Sequence, residues 1–390
     1  MKIAMIGQKG MPARYGGVER HVHDLSVGLV KAGHSVKVYS REWYSEKRPK
    51  KVEGVNIEYT PSVHTKHLDT ITHVFGATLH AIFDSPDVIH YHGVGPALLS
   101  WIPRLFNPSI RVITTFHSID RYQKKWGNIA KLFLRIGEWA TCKFAHSVIV
   151  ISKELEKYVK DKYTTSAVYI PNAVSNSSIE KYNGKETLSQ WGIEPKKYIL
   201  IVARLISLKG VHHLIQAYKN MQVTAPEILD GRKLVIVGDS CGTEQYVDDL
   251  KSMAKDNDSI IFTGFQSGNT LSELFSGASL FVHPSKSEGL PLSVLEAMSF
   301  GLPVLVSNIP GHTQLISESE FQFVSEDLLD LEIKLCNILL NKNDYLEAFG
   351  TKNKQLIIEK YSWNVLLPKV VEAYKRQEEI EKLEMTVPAV

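Results

Sequence analysis

Short apolar runs rich in β-branched residues alternate with helix-length segments along this 390-residue chain. Such alternation predicts parallel strands joined by helices that cover both faces of a sheet. Runs such as VIVIS and YILIVA are apolar throughout, which is typical of strands buried on both sides. The candidate strands form two series, each large enough for one doubly wound domain. They are Lys2–Ile6, Ser35–Tyr39, Val55–Tyr59, Val88–Tyr91, Arg111–Thr115, Ser147–Ile151 and Ala167–Ile170, and then Tyr198–Ala203, Lys233–Val237, Ser259–Phe262, Leu280–His283 and Pro303–Val306.

A polar stretch rich in Pro, Asn, Ser and Gly separates the two series of strands. We therefore predict a Rossmann-like domain over residues 1–170, a linker over 171–197 and a second Rossmann-like domain over 198–362. Residues 363–390 are charged and helical in pattern, and we expect them to cross back to the N-terminal domain. The helix-length segments include Gly17–Ala32, Gly127–Ala145, Val211–Lys219 and Pro291–Phe300.

The charge of the chain is unevenly distributed. The net charge is +3, but residues 1–170 carry 24 Lys and Arg against 14 Asp and Glu, and the remainder carries 21 against 28. A basic N-terminal half suggests contact with an acidic surface or an anionic acceptor. We expect no nucleic-acid partner.

The cysteines and the apolar segments bear on the compartment. Cys142, Cys241 and Cys336 lie far apart and in no C-x-x-C pattern, which argues against a disulfide framework or a zinc site and fits a reducing cytosol. The start MKIAMIGQKG reads as a strand rather than a signal peptide. No run approaches the ~18–20 apolar residues of a membrane span. We expect a cytoplasmic protein that could also lie peripherally at the inner face of the membrane.

Two glutamates stand eight residues apart in the segment SEGLPLSVLEAMSFGLPV. Glu288 lies in a loop after an apolar strand, and Glu296 lies in the helix that Pro291 opens. A strand end, a tight loop and a helix N-terminus in a row are the usual ligand position of an open α/β sheet. The two carboxylates could accept hydrogen bonds from hydroxyls of one elongated ligand, and the N–H groups of Gly289 and Leu290 could bond a phosphate or a sugar. The alternative is two unrelated surface glutamates.

Two cations, Arg204 and Lys209, lie in the loop between a strand and a helix in ARLISLKGVHHLIQAY. Cations beside a helix N-terminus suit a pyrophosphate, and fixed cations can take the phosphate contacts that Mg²⁺ would otherwise make. The alternative is a solvated Arg and Lys. We predict that no metal and no cofactor is needed.

The first strand leads into a loop with four glycines, of which Gly16 and Gly17 lie at the start of a helix. The backbone of such a loop can approach a ligand closely, and the helix N–H groups favour an anion. The loop has no G-x-G-x-x-G pattern, so NAD is not implied. The alternative is a flexible loop with a capping glycine.

Histidines follow two strands. His117 stands just past a strand end in VITTFHSIDRYQKKWGN, where a neutral imidazole could bond a sugar hydroxyl or stabilise positive charge. The alternative is a ring satisfied by local backbone. His90 and His92 have the spacing of one strand face, but two histidines without a carboxylate or Cys set form a weak metal site. We interpret them as structural or as lining a cleft.

Together these motifs resemble glycosyltransferase family 4, whose members are retaining enzymes of the GT-B fold, over nearly the whole chain. The E-x7-E spacing of Glu288 and Glu296, the R-x4-K-G spacing from Arg204, and the glycine pair followed by Glu19 carry the resemblance. The form QKG-PARYGG resembles the branch that builds bacterial surface polysaccharides. The sequence departs at Ser118, where the family often has Gly.

The resemblance implies two Rossmann-like domains facing a cleft and the transfer of a sugar from a nucleotide-diphosphate-sugar to a hydroxyl of a glycan or a lipid-linked sugar. It implies that Arg204 and Lys209 stabilise the leaving diphosphate, that Glu296 binds the ribose hydroxyls and that Glu288 binds the sugar hydroxyls. The remaining implied site residues are Gly238 and Gly264 beside the base and sugar, Gly16 and Gly17 near the donor phosphate, Glu19, His117 and Asp120 on the acceptor side, and Asn172 at the hinge.

Two other functions stay open. A nucleotide-sugar epimerase of the same fold would act without an acceptor, and a scaffold would bind the donor without turnover. The stretch from Arg121 to Lys143 also has two interpretations. Its basic and aromatic side chains suit an anionic membrane surface, or they belong to a core-facing helix with lysines that reach solvent.

Overall fold

The computed structural model describes residues 1–14, 16–65, 68–122, 127–175, 188–240, 242–341 and 343–375. The chain folds into two units. Unit 1 comprises Met1–Asn172 and the segment from Trp363 onward, and unit 2 comprises Ala173–Ser362. Part of the predicted linker (176–187), part of the predicted C-terminal helix (376–390) and Cys241 lie outside the described residues.

Unit 1 contains an eight-stranded sheet in the order β3-β4-β2-β1-β5-β6-β7-β8. All neighbouring pairs run parallel except β3 and β4, which are antiparallel. The strands are β1 (Lys2–Ile6), β2 (Ser35–Arg41), β3 (Lys51–Val52), β4 (Val55–Thr60), β5 (Val88–His92), β6 (Arg111–Phe116), β7 (Ser147–Val150) and β8 (Val168–Tyr169). The chain reverses its direction of winding between β1 and β5, and ligands of open α/β sheets bind at such switch points.

The helices of the first part of unit 1 connect these strands. They are α1 (Gly17–Lys31), α2 (Asp69–Asp84), α3 (Val94–Ala97), α4 (Trp101–Phe106), α5 (Asn128–Phe144) and α6 (Lys153–Tyr163). The first helix is amphipathic because Val22, Leu25 and Leu29 recur on one face, and all three are buried. The Ser152 hydroxyl caps α6 by accepting a hydrogen bond from the Leu155 N–H at 3.2 Å.

Unit 2 contains a six-stranded, wholly parallel sheet in the order β11-β10-β9-β12-β13-β14. Its strands are β9 (Tyr198–Val202), β10 (Lys233–Val237), β11 (Ile260–Gly264), β12 (Leu280–His283), β13 (Val304–Ser307) and β14 (Gln322–Phe323). This is the strand order of a dinucleotide-binding Rossmann sheet, with its switch point between β9 and β12. The helices are α7 (Val211–Thr224), α8 (Pro226–Leu229), α9 (Glu244–Met253), α10 (Gly268–Gly277), α11 (Leu292–Ser299), α12 (Pro310–Thr313), α13 (Leu328–Leu340) and α14 (Asn343–Leu356).

The last described helix, α15 (Trp363–Tyr374), belongs to unit 1. It packs on α1, where the Leu367 side chain lies 3.5 Å from the position that a Cβ on Gly28 would take. Its Tyr374 hydroxyl lies 2.7 Å from Nδ1 of the buried His90 on β5. The helix therefore completes the core of the unit that the N-terminal residues begin.

The prediction of two doubly wound α/β domains is confirmed for each unit. The twelve predicted strands are all present, with ends displaced by at most two residues. Two strands, β3 and β14, were not predicted because each has only two residues and shows no apolar alternation. The first of these, β3, pairs with β4 as an antiparallel edge strand, whereas the predicted strands pair in parallel.

Candidate functional site

Two loops meet at the switch point of the unit 2 sheet, one after β9 and one after β12. The N–H of Lys286 and the hydroxyl of Ser285 both donate to the Leu208 carbonyl, at 2.8 and 3.1 Å. Gly210 permits this approach, because a Cβ there would lie 2.1 Å from the Pro284 carbonyl oxygen and its φ is +67°. The contact brings the R-x4-K-G loop and the Glu288 loop together.

Lys209 and Glu288 form an ion pair where these loops meet. Only 15% of the Lys209 side chain and 11% of the Glu288 side chain are exposed. Burial opposes ionisation of Glu288, but the Lys209 ammonium outweighs it and lowers the pKa of this carboxyl to about 2. The carboxylate is therefore ionised at neutral pH and can accept hydrogen bonds from ligand hydroxyls.

Two buried imidazoles, those of His283 and His312, lie next to this carboxylate. Nδ1 of His312 lies 2.9 Å from the Ser307 carbonyl oxygen, which can only accept, so this nitrogen carries the proton. Burial keeps His312 neutral by lowering its pKa to about 4. Its Nε2 therefore accepts from Nδ1–H of His283 at 2.9 Å. The unprotonated Nε2 of His283 then lies 3.8 Å from Oε1 of Glu288, with no hydrogen-bond partner among the described residues.

Arg204 lies two residues beyond β9 and is exposed. Within the described parts of the chain, its side chain makes no ion pair and no side-chain hydrogen bond. The two predicted diphosphate cations thus differ, because Lys209 is buried against a carboxylate and Arg204 faces solvent. Only Arg204 can approach a new anion without first leaving a partner.

The second glutamate, Glu296, lies in the second turn of α11 and is half-buried. Between the two glutamates, Leu290 is buried and the Gly289 carbonyl accepts a hydrogen bond from the Gln314 side chain at 3.0 Å. Gln314 follows α12, whose Gly311 lies so close to Glu288 that a Cβ would approach its carbonyl oxygen to 2.5 Å. The loop is thus braced from α12.

Gly238 and Gly264 both end neighbouring strands, β10 and β11, and both have positive φ. A Cβ on Gly238 would lie 1.8 Å from the Ala203 carbonyl oxygen, whereas nothing lies within 4 Å of a Cβ on Gly264. Gly238 is therefore required by packing, and Gly264 leaves open space at the same edge of the sheet.

In unit 1, the glycine loop lies beside the start of α1. Gly16 is the N-cap of the helix, with φ +95°, and Gly17 is the first helical residue. The Glu19 carboxylate folds back onto this loop, where it accepts from the Lys9 N–H at 3.2 Å and lies 2.3 Å from the position of a Cβ on Gly16. Glu19 therefore braces the loop, and it is buried.

His117 directly follows β6 and is buried against two other histidines. Its Nε2 lies 3.3 Å from Nδ1 of His92, and its ring centroid lies 5.0 Å from that of His21 on α1. Burial and the neighbouring His21 and His90 lower the pKa of His117 well below its usual value. The ring is therefore neutral at physiological pH.

Asp120 lies in a short 3₁₀ turn and accepts a hydrogen bond from the Ser118 hydroxyl at 2.6 Å. The residue that departs from the family pattern thus contacts the predicted acceptor-side carboxylate. The neighbouring Arg121 donates to the fully buried Glu138 of α5 at 2.9 Å. Glu138 also accepts from the hydroxyls of Tyr158 and Tyr163, so its buried charge is fully bonded.

Several residues of these sites were not predicted as functional. His283 reaches Glu288 from β12 and contacts His312 of α12, and His21 reaches His117 from α1. The strand-end position of His283 was the available signal. His90 makes structural contacts, because its two ring nitrogens lie 2.7 Å from the hydroxyls of Tyr374 and Thr115.

Two family models match the chain, one for each part. The model described as "Glycosyltransferase Family 4" matches residues 15–177, and the model described as "Glycosyl transferases group 1" matches residues 185–356. An uncharacterized glycosyltransferase of Methanocaldococcus jannaschii is 27% identical over 96% of this chain and 98% of its own length. An alpha-monoglucosyldiacylglycerol synthase of Streptococcus pneumoniae is 25% identical over 82% and 74%, and an Escherichia coli O-antigen chain mannosyltransferase is 24% identical over 76% of each chain.

Solved structures share the fold. A sucrose-phosphate synthase of Thermosynechococcus elongatus superimposes with a TM-score of 0.79 at 20% identity, covering 96% of this chain and 98% of its own. An Anabaena protein in complex with UDP and glucose superimposes with a TM-score of 0.78 at 18% identity, covering 95% and 98%.

Proposed function

The chain is a family 4-like glycosyltransferase of the GT-B fold, and from this premise we propose that it transfers a sugar from a nucleoside-diphosphate-sugar to a hydroxyl with retained anomeric configuration. The observation that carries the proposal is the buried pair of Lys209 and Glu288 at the switch point of unit 2, with the exposed Arg204 on the same loop. Cations suit a diphosphate, and an ionised carboxylate suits sugar hydroxyls.

The first proposed role is stabilisation of the leaving group by Arg204 and Lys209. Negative charge grows on the diphosphate as its bond to the sugar breaks, and fixed cations stabilise that charge without rearranging. The ion pair with Glu288 holds the Lys209 ammonium in place, and the N-terminus of α7 begins two residues later. With two cations present, we expect the reaction to need no metal ion.

The second proposed role is recognition of the sugar and the nucleoside. Glu288 would accept hydrogen bonds from sugar hydroxyls, and Nε2 of His283, which lies beside it, would accept another. Glu296 would hold the ribose hydroxyls. The loops at Gly238 and Gly264 and the N–H groups of Gly289 and Leu290 would contribute backbone contacts to the donor.

In unit 1, we propose that His117 contacts the sugar and the acceptor, with Glu19 and Asp120 on the acceptor side and Gly16 and Gly17 close to the donor phosphate. The neutral imidazole of His117 can bond a hydroxyl or stabilise a sugar that acquires positive charge. The departing phosphate oxygen can take the proton of the acceptor hydroxyl, so retention requires no separate protein base.

We also propose that unit 1 meets an anionic lipid surface through α5. The charged side chains exposed on this helix are all basic, and Glu138 is buried. The exposed apolar side chains are Ile129, Leu132, Phe133, Ile136 and Trp139, and the exposed cations are Lys131, Arg135 and Lys143. This combination is typical of helices that lie in the interface of anionic membranes. Lys124, Lys125 and Trp126, which the sequence also suggested, lie outside the described residues.

The names of the relatives support an acceptor of this kind. One is named as a synthase of a glucosylated diacylglycerol and another as an O-antigen chain mannosyltransferase, and the Anabaena neighbour was solved with UDP and glucose. We propose a nucleotide-sugar donor, a glycan or lipid-linked acceptor, and a place in the synthesis of bacterial surface polysaccharide. Of the helices described, none is both long and apolar enough to cross a bilayer.

The test begins with UDP-, GDP-, dTDP- and ADP-sugars, each incubated with the full chain in EDTA. Release of one nucleoside diphosphate is measured by chromatography, and NMR of the product gives its anomeric configuration. Slow release with retention supports the proposal and identifies the donor. An inverted product or an absolute metal requirement contradicts it.

Two other outcomes correspond to the other functions. Conversion of the donor into its epimer, without transfer to an acceptor, indicates an epimerase. Tight donor binding without turnover indicates a scaffold, provided that lipid-linked acceptors presented in anionic vesicles also give none.

A further inference from the structure

We propose that His21, His92 and His117 form a site for a divalent transition metal ion, best suited to Zn²⁺, and that occupation of this site inhibits sugar transfer. The three imidazoles come from α1, the end of β5 and the residue after β6. Each offers one ring nitrogen, and these nitrogens all lie within 4.8 Å of one another.

The spacing of the cluster suits tetrahedral coordination. Two imidazole nitrogens bound to one zinc ion at 2.0–2.1 Å lie about 3.3 Å apart. Nδ1 of His92 and Nε2 of His117 are already separated by 3.3 Å. The third ring, His21, has to tilt toward this pair, and its centroid lies 5.0 Å from that of His117 and 5.7 Å from that of His92.

The cluster also has an unpartnered nitrogen. Nδ1 of His21 is buried and makes no hydrogen bond within the described residues. Unpartnered nitrogens in a buried place are costly unless a ligand uses them.

The surroundings orient the three rings. The His90 ring lies 4.0 Å from the His92 ring, and Thr115 and Tyr374 hold it at 2.7 Å each. On the opposite side, Trp363 lies 5.3 Å from His21, and an Asn172 hydrogen bond acts on the same imidazole. Outer groups of this kind fix the direction of metal ligands.

Inhibition follows from the shared histidine. A metal ion on His117 would bind the imidazole that we assign to the sugar and the acceptor. This part of the inference rests on the proposed function, but metal binding itself does not. The two parts are therefore tested with separate measurements.

Metal binding is measured on the untagged full chain by calorimetry with Zn²⁺ and by visible absorption with Co²⁺. We expect one equivalent to bind, and the cobalt complex to show the intense d–d bands of tetrahedral coordination. His21→Ala and His92→Ala should each weaken binding at least about tenfold. His80→Ala, an exposed histidine of α2 in the same unit, should leave it unchanged.

Circular dichroism and thermal unfolding identify any variant that fails to fold, and His21→Asn then replaces His21→Ala. Weak octahedral cobalt bands, or zinc binding equal in the wild type and in the folded His21 variant, would overturn the site.

The activity test adds Zn²⁺ to the transfer assay. Inhibition that His21→Ala relieves supports the second part, whereas zinc binding without inhibition overturns the inhibitory role and leaves the proposed transferase function intact.

Discussion

Nδ1 of His283 lies 2.9 Å from Nε2 of His312, so the proton on one imidazole decides the tautomer of the other. The Ser307 carbonyl requires a proton on Nδ1 of His312, and the same argument places the His283 proton on Nδ1. The Nε2 lone pair of His283 then faces the Glu288 carboxylate. Two acceptors side by side are suited to a ligand that brings hydroxyl donors.

The first prediction concerns these tautomers. Nitrogen-detected NMR of the histidine rings should show both His283 and His312 protonated on Nδ1. His312→Gln retains an acceptor for His283 and should lower kcat/KM only slightly. His312→Phe removes that acceptor and should lower kcat/KM by about tenfold. The tautomer argument is wrong if His283 carries its proton on Nε2 in the wild type. It is also wrong if His312→Phe changes neither the NMR signals of the His283 ring nor kcat/KM.

The second prediction separates the two cations. Arg204→Met should reduce kcat by roughly 10²–10³ while changing the free energy of unfolding by less than about 0.5 kcal/mol, because Arg204 is exposed. Lys209→Met should reduce kcat by a similar factor. It should also lower the free energy of unfolding by roughly 3 kcal/mol, because it leaves Glu288 buried and unpaired.

Lys286→Met is the matched control for these cations, since Lys286 lies on the neighbouring loop in a more exposed pair with Glu326. It should cost less than about 1 kcal/mol and leave the rate near that of the wild type. Urea unfolding and nucleoside diphosphate release measure the two effects. Near-normal turnover in Arg204→Met would argue against its role at the diphosphate.

The third prediction is a pH dependence. The pKa of Glu288 is lowered from 4.5 to about 2, so its contribution to stability is fully present above pH 4.5 and is lost as the pH falls toward 2. That contribution is on the order of 3 kcal/mol. Glu288→Gln lacks this titration, so the urea midpoints of the variant and the wild type should converge between pH 5 and about pH 2. A constant difference across this range would show that Glu288 is not held ionised by its neighbours.

The fourth prediction compares two glycines with the same φ region. Gly210 has φ +67° and Gly264 has φ +70°. A Cβ on Gly210 would lie 2.1 Å from the Pro284 carbonyl oxygen, whereas a Cβ on Gly264 would have nothing within 4 Å. Gly264→Ala should therefore cost only the left-handed backbone, about 1 kcal/mol. Gly210→Ala should cost several times more and should also lower kcat, because it separates the loops that carry Lys209 and Glu288. Equal losses in the two variants would contradict the close approach.

The fifth prediction tests the exposed face of α5. Phe133→Ser together with Ile136→Ser should weaken sedimentation with vesicles of anionic lipid at least about tenfold, since each side chain would otherwise bury apolar surface. Val223→Ser, which changes a more exposed apolar residue of unit 2, should have no effect. Binding should also fall with added salt. Equal binding to neutral vesicles would contradict a role for Lys131 and Arg135.

Much of the fold was predictable because its signals are local. Strands such as Lys2–Ile6 and Lys233–Val237 are continuous apolar runs, and their prediction needs only the burial of a parallel sheet. The two-residue strands β3 and β14 have no such pattern, and their pairing depends on neighbours that the sequence does not specify.

The candidate site was predictable only where motif and position coincide. Arg204, Lys209 and Glu288 lie at strand ends of one switch point, and their loops meet there. Lys209 was predicted to lie at the diphosphate, and its ion pair with Glu288 was not predicted. The contacts of His283 with His312 and of His21 with His117 join distant parts of the chain, so no spacing pattern indicates them.

The return of α15 to unit 1 has a consequence for the order of folding. Unit 2 is continuous from Ala173 to Ser362, so a ribosome delivers all of it before Trp363 and Tyr374 are made. Domains fold as units during synthesis, usually the N-terminal one first. Here unit 1 begins first but is completed last, because His90 and Gly28 contact side chains of α15. A released chain that ends at residue 362 should therefore hold a folded unit 2 and an N-terminal unit whose core is incomplete.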